Sequence, residues 1–149
     1  MRISDVCTRE VVHIAAPATV RQAATLMRRS HVGLLVVVEQ PNGERYPIGV
    51  LTDRDIVLSV VAAGIDPDVI TVGDVMIRRV CSCSQDDDLF GVLQTMRNHG
   101  VRRLPVLDGN GALCGLISVD DIVAALSQHL FDLSAALRRE QINEMHMRV

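Results

Sequence analysis

Gly49-Val50-Leu51-Thr52-Asp53-Arg54-Asp55-Ile56 and Gly115-Leu116-Ile117-Ser118-Val119-Asp120-Asp121-Ile122 are two versions of one octet, 66 residues apart (115 minus 49). The shared pattern is Gly, two apolar residues, a hydroxyl residue, two variable residues, Asp and Ile. The apolar pair predicts the end of a buried strand. The hydroxyl residue is a natural N-cap, and the apolar positions after it open a helical period. Much of what lies upstream also matches, so the chain is read as an internal duplication.

The upstream match has an offset of 69 (80 minus 11), pairing Val11 with Val80. Asp5-Val6 and Asp74-Val75 open the two copies. Short strands are predicted over Val11 to Ile14 and Val80 to Cys83. Pro17-Ala18-Thr19 is a helix-start signal with Thr19 as N-cap, and Asp86, Asp87 and Asp88 take that place in the second copy. The first helices cover Val20 to Ser30, with Ala23, Ala24 and Met27 as the apolar stripe, and its equivalent with Leu89, Val92, Leu93 and Met96. They stop near His31-Val32-Gly33 and His99-Gly100-Val101, where Gly favours a stop. Leu34 to Val38 and Leu104 to Leu107 read as buried strands. Asn42-Gly43 and Asn110-Gly111 signal the hairpins that follow. The first hairpin loop is three residues longer, which lowers the offset from 69 to 66.

Each copy therefore reads β-α-β-β-α, an α/β (α+β) fold. Residues 1–66 form repeat 1, 67–130 repeat 2 and 131–149 a C-terminal helical extension. A unit of about 60 residues with one sheet face buries too little surface alone, so the two units are expected to pack face to face. From Leu116 to Val149 there is no Gly and no Pro, and Ile122, Val123, Leu126, Leu130, Leu133 and Leu137 fall at helical spacing. That helix either folds back on its own chain or meets a partner surface.

Composition narrows the function. The 149 residues are 48% apolar, 22% charged and 2% aromatic, with a net charge of -3. Aromatic platforms for single-stranded nucleic acid are scarce, and no basic face suggests duplex binding. No apolar run approaches the roughly 20 residues of a membrane span, and Met1 to Asp5 carries no long apolar signal segment, so a cytoplasmic location is expected. Cys7, Cys81, Cys83 and Cys114 match no secreted disulfide framework. Cys81-x-Cys83 lacks the partners of a metal site and is read as small apolar residues. No nucleophile triad, Walker loop or dinucleotide fingerprint is present, so an enzyme is the weakest reading.

Thr52-x-x-Asp55 and Ser118-x-x-Asp121 admit two readings. Each fits a capping box that satisfies its own helix start. Each also fits a ligand site, because a helix N-terminus attracts phosphate and a carboxylate accepts from both hydroxyls of a ribose.

The paired pattern resembles the CBS domain, named from cystathionine beta-synthase, over Ile3 to Leu130. Four pieces carry the resemblance: Gly49 to Asp55, Val72-Gly73-Asp74-Val75-Met76, Val101-Arg102-Arg103-Leu104-Pro105-Val106-Leu107-Asp108, and Gly115 to Asp121. It implies a stand-alone Bateman module, a tandem pair with pseudo-twofold symmetry that often forms a homodimer. It further implies a non-catalytic regulator with no required cofactor, binding AMP, ADP, ATP or S-adenosylmethionine in two clefts between the repeats. Carried over, Thr52 and Asp55 work with Val101, Arg102 and Arg103, while Ser118 and Asp121 work with Val32, Gly33 and Leu34. Arg102 and Arg103 suit phosphate, and Gly33 and Leu34 offer no guanidinium, so the first cleft is expected to prefer the more phosphorylated ligand. The C-terminal helix is the candidate contact for an effector protein. The alternative is a structural dimerisation module with vestigial clefts.

Overall fold

The computed structural model describes residues 1–148 and resolves the duplication into two three-stranded sheets of identical order. In the first, β1 (His13–Ala15) runs parallel to β2 (Leu34–Glu39), and β2 pairs antiparallel with β3 (Tyr46–Thr52). In the second, β4 (Cys83–Ser84), β5 (Arg103–Leu107) and β6 (Leu113–Ser118) repeat this. Helices α1 (Val20–Ser30) and α4 (Leu89–His99) make the crossovers. A short α2 (Asp53–Ile56) continues as a π-helical turn, Val57–Val61, and α3 (Val72–Val75) links the repeats. The last element, α5 (Val119–Met147), is unbroken over 29 residues.

Local chemistry accounts for the helix boundaries. Thr19 accepts from the Gln22 N–H while the Gln22 side chain returns the bond to Thr19, a complete capping box. Asp88 caps α4 through the Phe90 N–H. At the C-termini the two copies diverge. Gly100 ends α4 in the left-handed region at φ 64°, whereas α1 ends on His31, at φ 55°, and not at Gly33. Gly43 and Gly111 adopt the positive φ that their hairpin loops demand, 82° and 81°. Val20, Ala23 and Met27 are the buried face of α1; Ala24, expected there, is exposed.

The first strands are shorter than the sequence suggests, because the residues before them leave the sheet. Those leaders are exchanged between the repeats. Ile3 is fully buried in the core of repeat 2, beside Leu89, Met96, Leu104 and Ile117. Val72 and Met76 are buried in the core of repeat 1, with Val20, Leu35 and Leu51. Each leader adds a strand-like rung to the far edge of the other sheet. Thr8 and Leu116 exchange two backbone hydrogen bonds of 2.9 Å, and Val50 and Ile77 exchange two of 3.1 and 2.9 Å. Burying a side chain the size of Ile3 or Met76 contributes about 1.5–3 kcal/mol, so the exchange ties the halves together. A third apolar cluster joins the sheets directly, with Val36, Val38 and Leu113 at its centre.

Helix α5 is anchored only at its start. Ile122 is buried and Leu126 packs against the repeat 2 core, but every residue from Ser127 to Arg148 is exposed. It does not fold back on its own chain.

Candidate functional site

The two octets end β3 and β6 on Thr52 and Ser118, which cap the helices that follow. The two caps have the same geometry. Thr52 Oγ1 accepts from the Asp55 N–H at 3.1 Å and Asp55 Oδ2 accepts from the Thr52 N–H at 2.9 Å. Ser118 and Asp121 repeat these bonds at 3.1 and 2.9 Å. The first helical N–H groups are also occupied, Asp53 N–H by the Gly33 carbonyl at 3.0 Å and Val119 N–H by that of Arg102 at 2.9 Å. The hydroxyl oxygens are thus used as acceptors, which leaves each O–H free to donate.

Two hollows of about 260 and 270 Å³ lie between the repeats, just below the ~300 Å³ at which small-molecule pockets usually begin. The first brings Thr52 together with Val101, Arg102 and Arg103. The second brings Ser118 and Asp121 together with Val32, Gly33 and Leu34. Asp55 does not line the first hollow; it is half-buried behind Thr52, holding the cap.

The exchanged leaders supply walls that the sequence reading did not name. Ile77, Arg79 and Cys81 border the first hollow, and Thr8, Glu10 and Val12 border the second. These are equivalent positions at the offset of 69 (79 minus 10). Val50 and Leu116 likewise match, while Leu34 and Arg103, also equivalent, border both hollows. The expectation that the second cleft has no guanidinium is therefore corrected: Arg103 reaches it. The electrostatic contrast between the clefts nevertheless grows. Arg79 and Arg102 in the first stand where Glu10 and Gly33 stand in the second. The first cleft has three guanidinium groups and no carboxylate on its walls; the second has one, together with Glu10 and Asp121. Arg102 lies 3.6 Å from Asp120, but both side chains are about three-quarters exposed, so water screens the pair.

The apolar walls of the first cleft, Leu34, Val50, Ile77, Val101 and Pro105, suit a flat heteroaromatic ring. The second wall also carries His31, and among the described residues no hydrogen bond links a wall hydroxyl or thiol to a histidine or carboxylate side chain. The cysteines converge in and around the repeat 2 core. Burial pushes the Cys83 thiol from 9.0 up to about 12, helped by Asp87 and by Cys7, Cys114 and Cys81 nearby, and burial raises Cys7 and Cys114 as well. No three His, Cys, Asp or Glu side chains among the described residues are grouped to hold a metal.

A family model for the CBS domain matches residues 3–62 and 72–128. The chain belongs to the CBS-domain family. Among relatives, an uncharacterized protein, MK0525, of Methanopyrus kandleri is 33% identical over 121 residues, 81% of this chain and 60% of the relative. The chain thus spans less than two thirds of that relative's length. Among solved structures, the CBS domain protein PAE2072 from Pyrobaculum aerophilum, complexed with AMP, aligns with a TM-score of 0.74 at 28% identity, covering 86% of this chain and 99% of that one. A hexameric CBS-CP12 protein from bloom-forming cyanobacteria aligns at 0.70 and 32% identity, covering 83% and 69%. The CBS pair fold is therefore common to these chains. No helix among the described residues is long and apolar enough to cross a membrane.

Proposed function

We propose that this chain is a non-catalytic regulatory module of the cytoplasm, a homodimer that binds adenosine-containing ligands between its repeats and signals by a change in their packing. The observation that carries this reading is the pair of matched hollows, each combining an N-cap hydroxyl with apolar walls drawn from the other repeat. The AMP complex of a CBS-domain relative supports it, and the hexameric relative supports self-association. The Thr52 hydroxyl donates to a phosphate oxygen or ribose, and Arg79, Arg102 and Arg103 balance the phosphate charge, so this cleft takes AMP, ADP or ATP. In the second cleft Asp121 accepts from the ribose diol. Glu10 and Asp121 oppose a polyphosphate there and favour a ligand of low negative charge or one carrying a sulfonium, such as S-adenosylmethionine. Asp55 acts by holding Thr52 in place.

Isothermal titration of the full chain with adenosine, AMP, ADP, ATP and S-adenosylmethionine tests this. Affinity for the first cleft rises with phosphate number, and Arg79→Ala removes about fivefold or more of the ATP affinity while leaving adenosine unchanged. Asp121→Asn weakens the second site selectively. Heat from none of the five ligands would leave Thr52, Asp55, Ser118 and Asp121 as helix caps and the chain as a dimerisation module with vestigial clefts.

A further inference from the structure

All four cysteines of the chain gather at one sheet. Cys83 is buried in the core of repeat 2, and Cys7, Cys81 and Cys114 pack against that core. The equivalent positions in repeat 1 are Ile14, Met76 and Val12 at the offset of 69, and Ile48 at 66. All four belong to the repeat 1 core or pack against it. Packing is thus met equally well without sulfur and does not by itself account for four thiols in one place. Two of them are placed to meet. Cys7 lies on the leader that crosses from repeat 1, one residue before the rung between Thr8 and Leu116. Its side chain leans over Gly115, where a methyl group would stand 2.9 Å from Cys7 Sγ and 3.5 Å from Cys7 Cβ. Cys114 is the adjoining residue. The register of β5 and β6 shifts there, Val106 pairing with Gly115 and Leu107 with Leu113, so Cys114 is an unpaired bulge residue. The bulge turns it, like its neighbour, towards the repeat 2 core.

We infer that Cys7 and Cys114 are a modification site for hydroperoxides, which oxidise the pair to a disulfide that fastens the crossing leader of repeat 1 to β6 of repeat 2. Both thiols are half-buried, within reach of a small solute. After burial, the Cys7 thiol is the influence that raises Cys114 most, which marks their proximity. Arg9 acts on both and opposes the rise that burial gives them. With hydrogen peroxide, the Cys7 thiolate attacks one oxygen, an S–O bond forms as the O–O bond breaks, and the departing hydroxide takes the Cys7 proton and leaves as water. The Cys114 thiolate then attacks the sulfenic sulfur. The S–S bond forms, the S–O bond breaks, and a second hydroxide leaves as water with the Cys114 proton. The two thiols give up two electrons and two protons, and the peroxide is reduced to two waters. Cys83 is a poorer partner, because it is buried, its thiol donates to the Pro105 carbonyl at 3.8 Å, and burial holds it protonated up to about 12. Cys81 borders the first hollow instead. The link closes 107 residues of chain (114 minus 7) and holds the leader that brings Thr8, Glu10 and Val12 to the second hollow, with or without a ligand there.

Treatment of the full chain with hydrogen peroxide, then trypsin digestion without reductant and mass spectrometry, tests this. Cleavage after Arg2, Arg9, Arg103 and Arg138 isolates Cys7 in residues 3–9 and Cys114 in residues 104–138, while Cys81 and Cys83 fall together in residues 80–97. The expected product joins 3–9 to 104–138 within a chain lighter by two hydrogens. The oxidised chain melts about 5–15 °C higher, and dithiothreitol reverses the gain. Cys7→Ser and Cys114→Ser each abolish both the product and the gain, and Cys81→Ser keeps them. A link from 3–9 to 80–97, a link only between two chains, or oxidation of single cysteines without any link overturns the assignment. A link between Cys7 and Cys114 that leaves Tm unchanged overturns the fastening of the leader.

Discussion

Gly49→Ala probes the exchange of leaders on which both clefts depend. A methyl group at Gly49 would stand 2.6 Å from Met76 Sδ, 3.0 Å from Met76 Cγ and 3.0 Å from the Ile77 carbonyl oxygen. The sulfur can swing aside, but the carbonyl cannot, because Ile77 and Val50 are tied by backbone hydrogen bonds in both directions. The leader must retreat by several tenths of an ångström. Overpacking of this kind costs 1–3 kcal/mol, and strain on two hydrogen bonds adds a fraction of their 0.5–1.5 kcal/mol each, so the loss is about 2–3 kcal/mol. For a chain of this length that lowers Tm by about 5–10 °C in differential scanning calorimetry. Gly115→Ala is the equivalent test. Its methyl would meet Cys7 Sγ at 2.9 Å and the Thr8 carbonyl at 3.1 Å, so the loss is smaller, and Cys7→Ala in that background recovers part of it. Gly91→Ala is the control with opposite sign. Gly91 lies inside α4 with nothing within 4 Å of the added methyl, so the change stabilises by about 0.5–1 kcal/mol. A Gly49→Ala protein that melts within a degree or two of wild type would refute the close crossing, and with it the exchanged topology.

Alkaline pH acts through Cys83. Its folded value near 12 exceeds the ordinary 9.0, so its contribution is complete below pH 9 and is lost as pH rises from 9 towards 12, by about 4 kcal/mol at most. Urea melts between pH 8 and 10.5 show that slope in wild type, and Cys83→Val flattens it; equal slopes would show that the thiol is not held protonated. His31→Gly relieves the left-handed residue at the end of α1, as Gly100 already does for α4, and raises Tm by about 2–4 °C. An unchanged or lower Tm would place His31 at no cost there. Arg103 borders both clefts, so two phosphorylated ligands compete for it, and the second AMP binds at least about fivefold more weakly than the first. Arg103→Ala brings the two titration steps together; independent steps in wild type would remove the shared residue from the account.

The repeat, the crossover helices and their caps were legible because each rests on local chemistry: a hydroxyl at an N-cap, a Gly in a hairpin loop, an apolar residue every third or fourth position. The cleft residues Thr52, Ser118, Asp121, Arg102 and Gly33 followed from the octets and the family resemblance. The exchange of leaders was not read, because an offset of 69 shows where a copy starts and not which core it enters. One signal was available. Gly49 and Gly115 sit inside apolar strands, where a missing side chain marks the close approach of another backbone. Without the exchange, Arg79 and Glu10 had no cleft to belong to. The end of α1 after Ser30 was legible, but that His31 and not Gly33 takes the left-handed conformation there was not, because Gly is the usual residue for it. The π-helical turn at Val57–Val61 follows α2 without Gly or Pro, its one polar residue being Ser59, and we have no sequence rationale for it.

Duplication explains why there are two clefts, and the leaders explain why they differ. Each hollow is walled by a helix start from one repeat, the entry to β2 or β5 from the other, and a leader that has crossed over. A ligand in such a hollow touches three segments whose mutual packing is the joint between the repeats. Its binding free energy then stabilises the assembled joint in proportion to the occupied fraction, and any partner that senses the joint senses the ligand. The equivalent pairs Arg79 with Glu10 and Arg102 with Gly33, together with Asp121 on the second wall, whose equivalent Asp55 does not line the first, give the clefts unlike charge on a common frame. Because Leu34 and Arg103 border both hollows, ligands in the two would not be independent. Under the proposed ligand-binding function, one duplicated unit would carry two unlike clefts joined by two shared wall residues, Leu34 and Arg103.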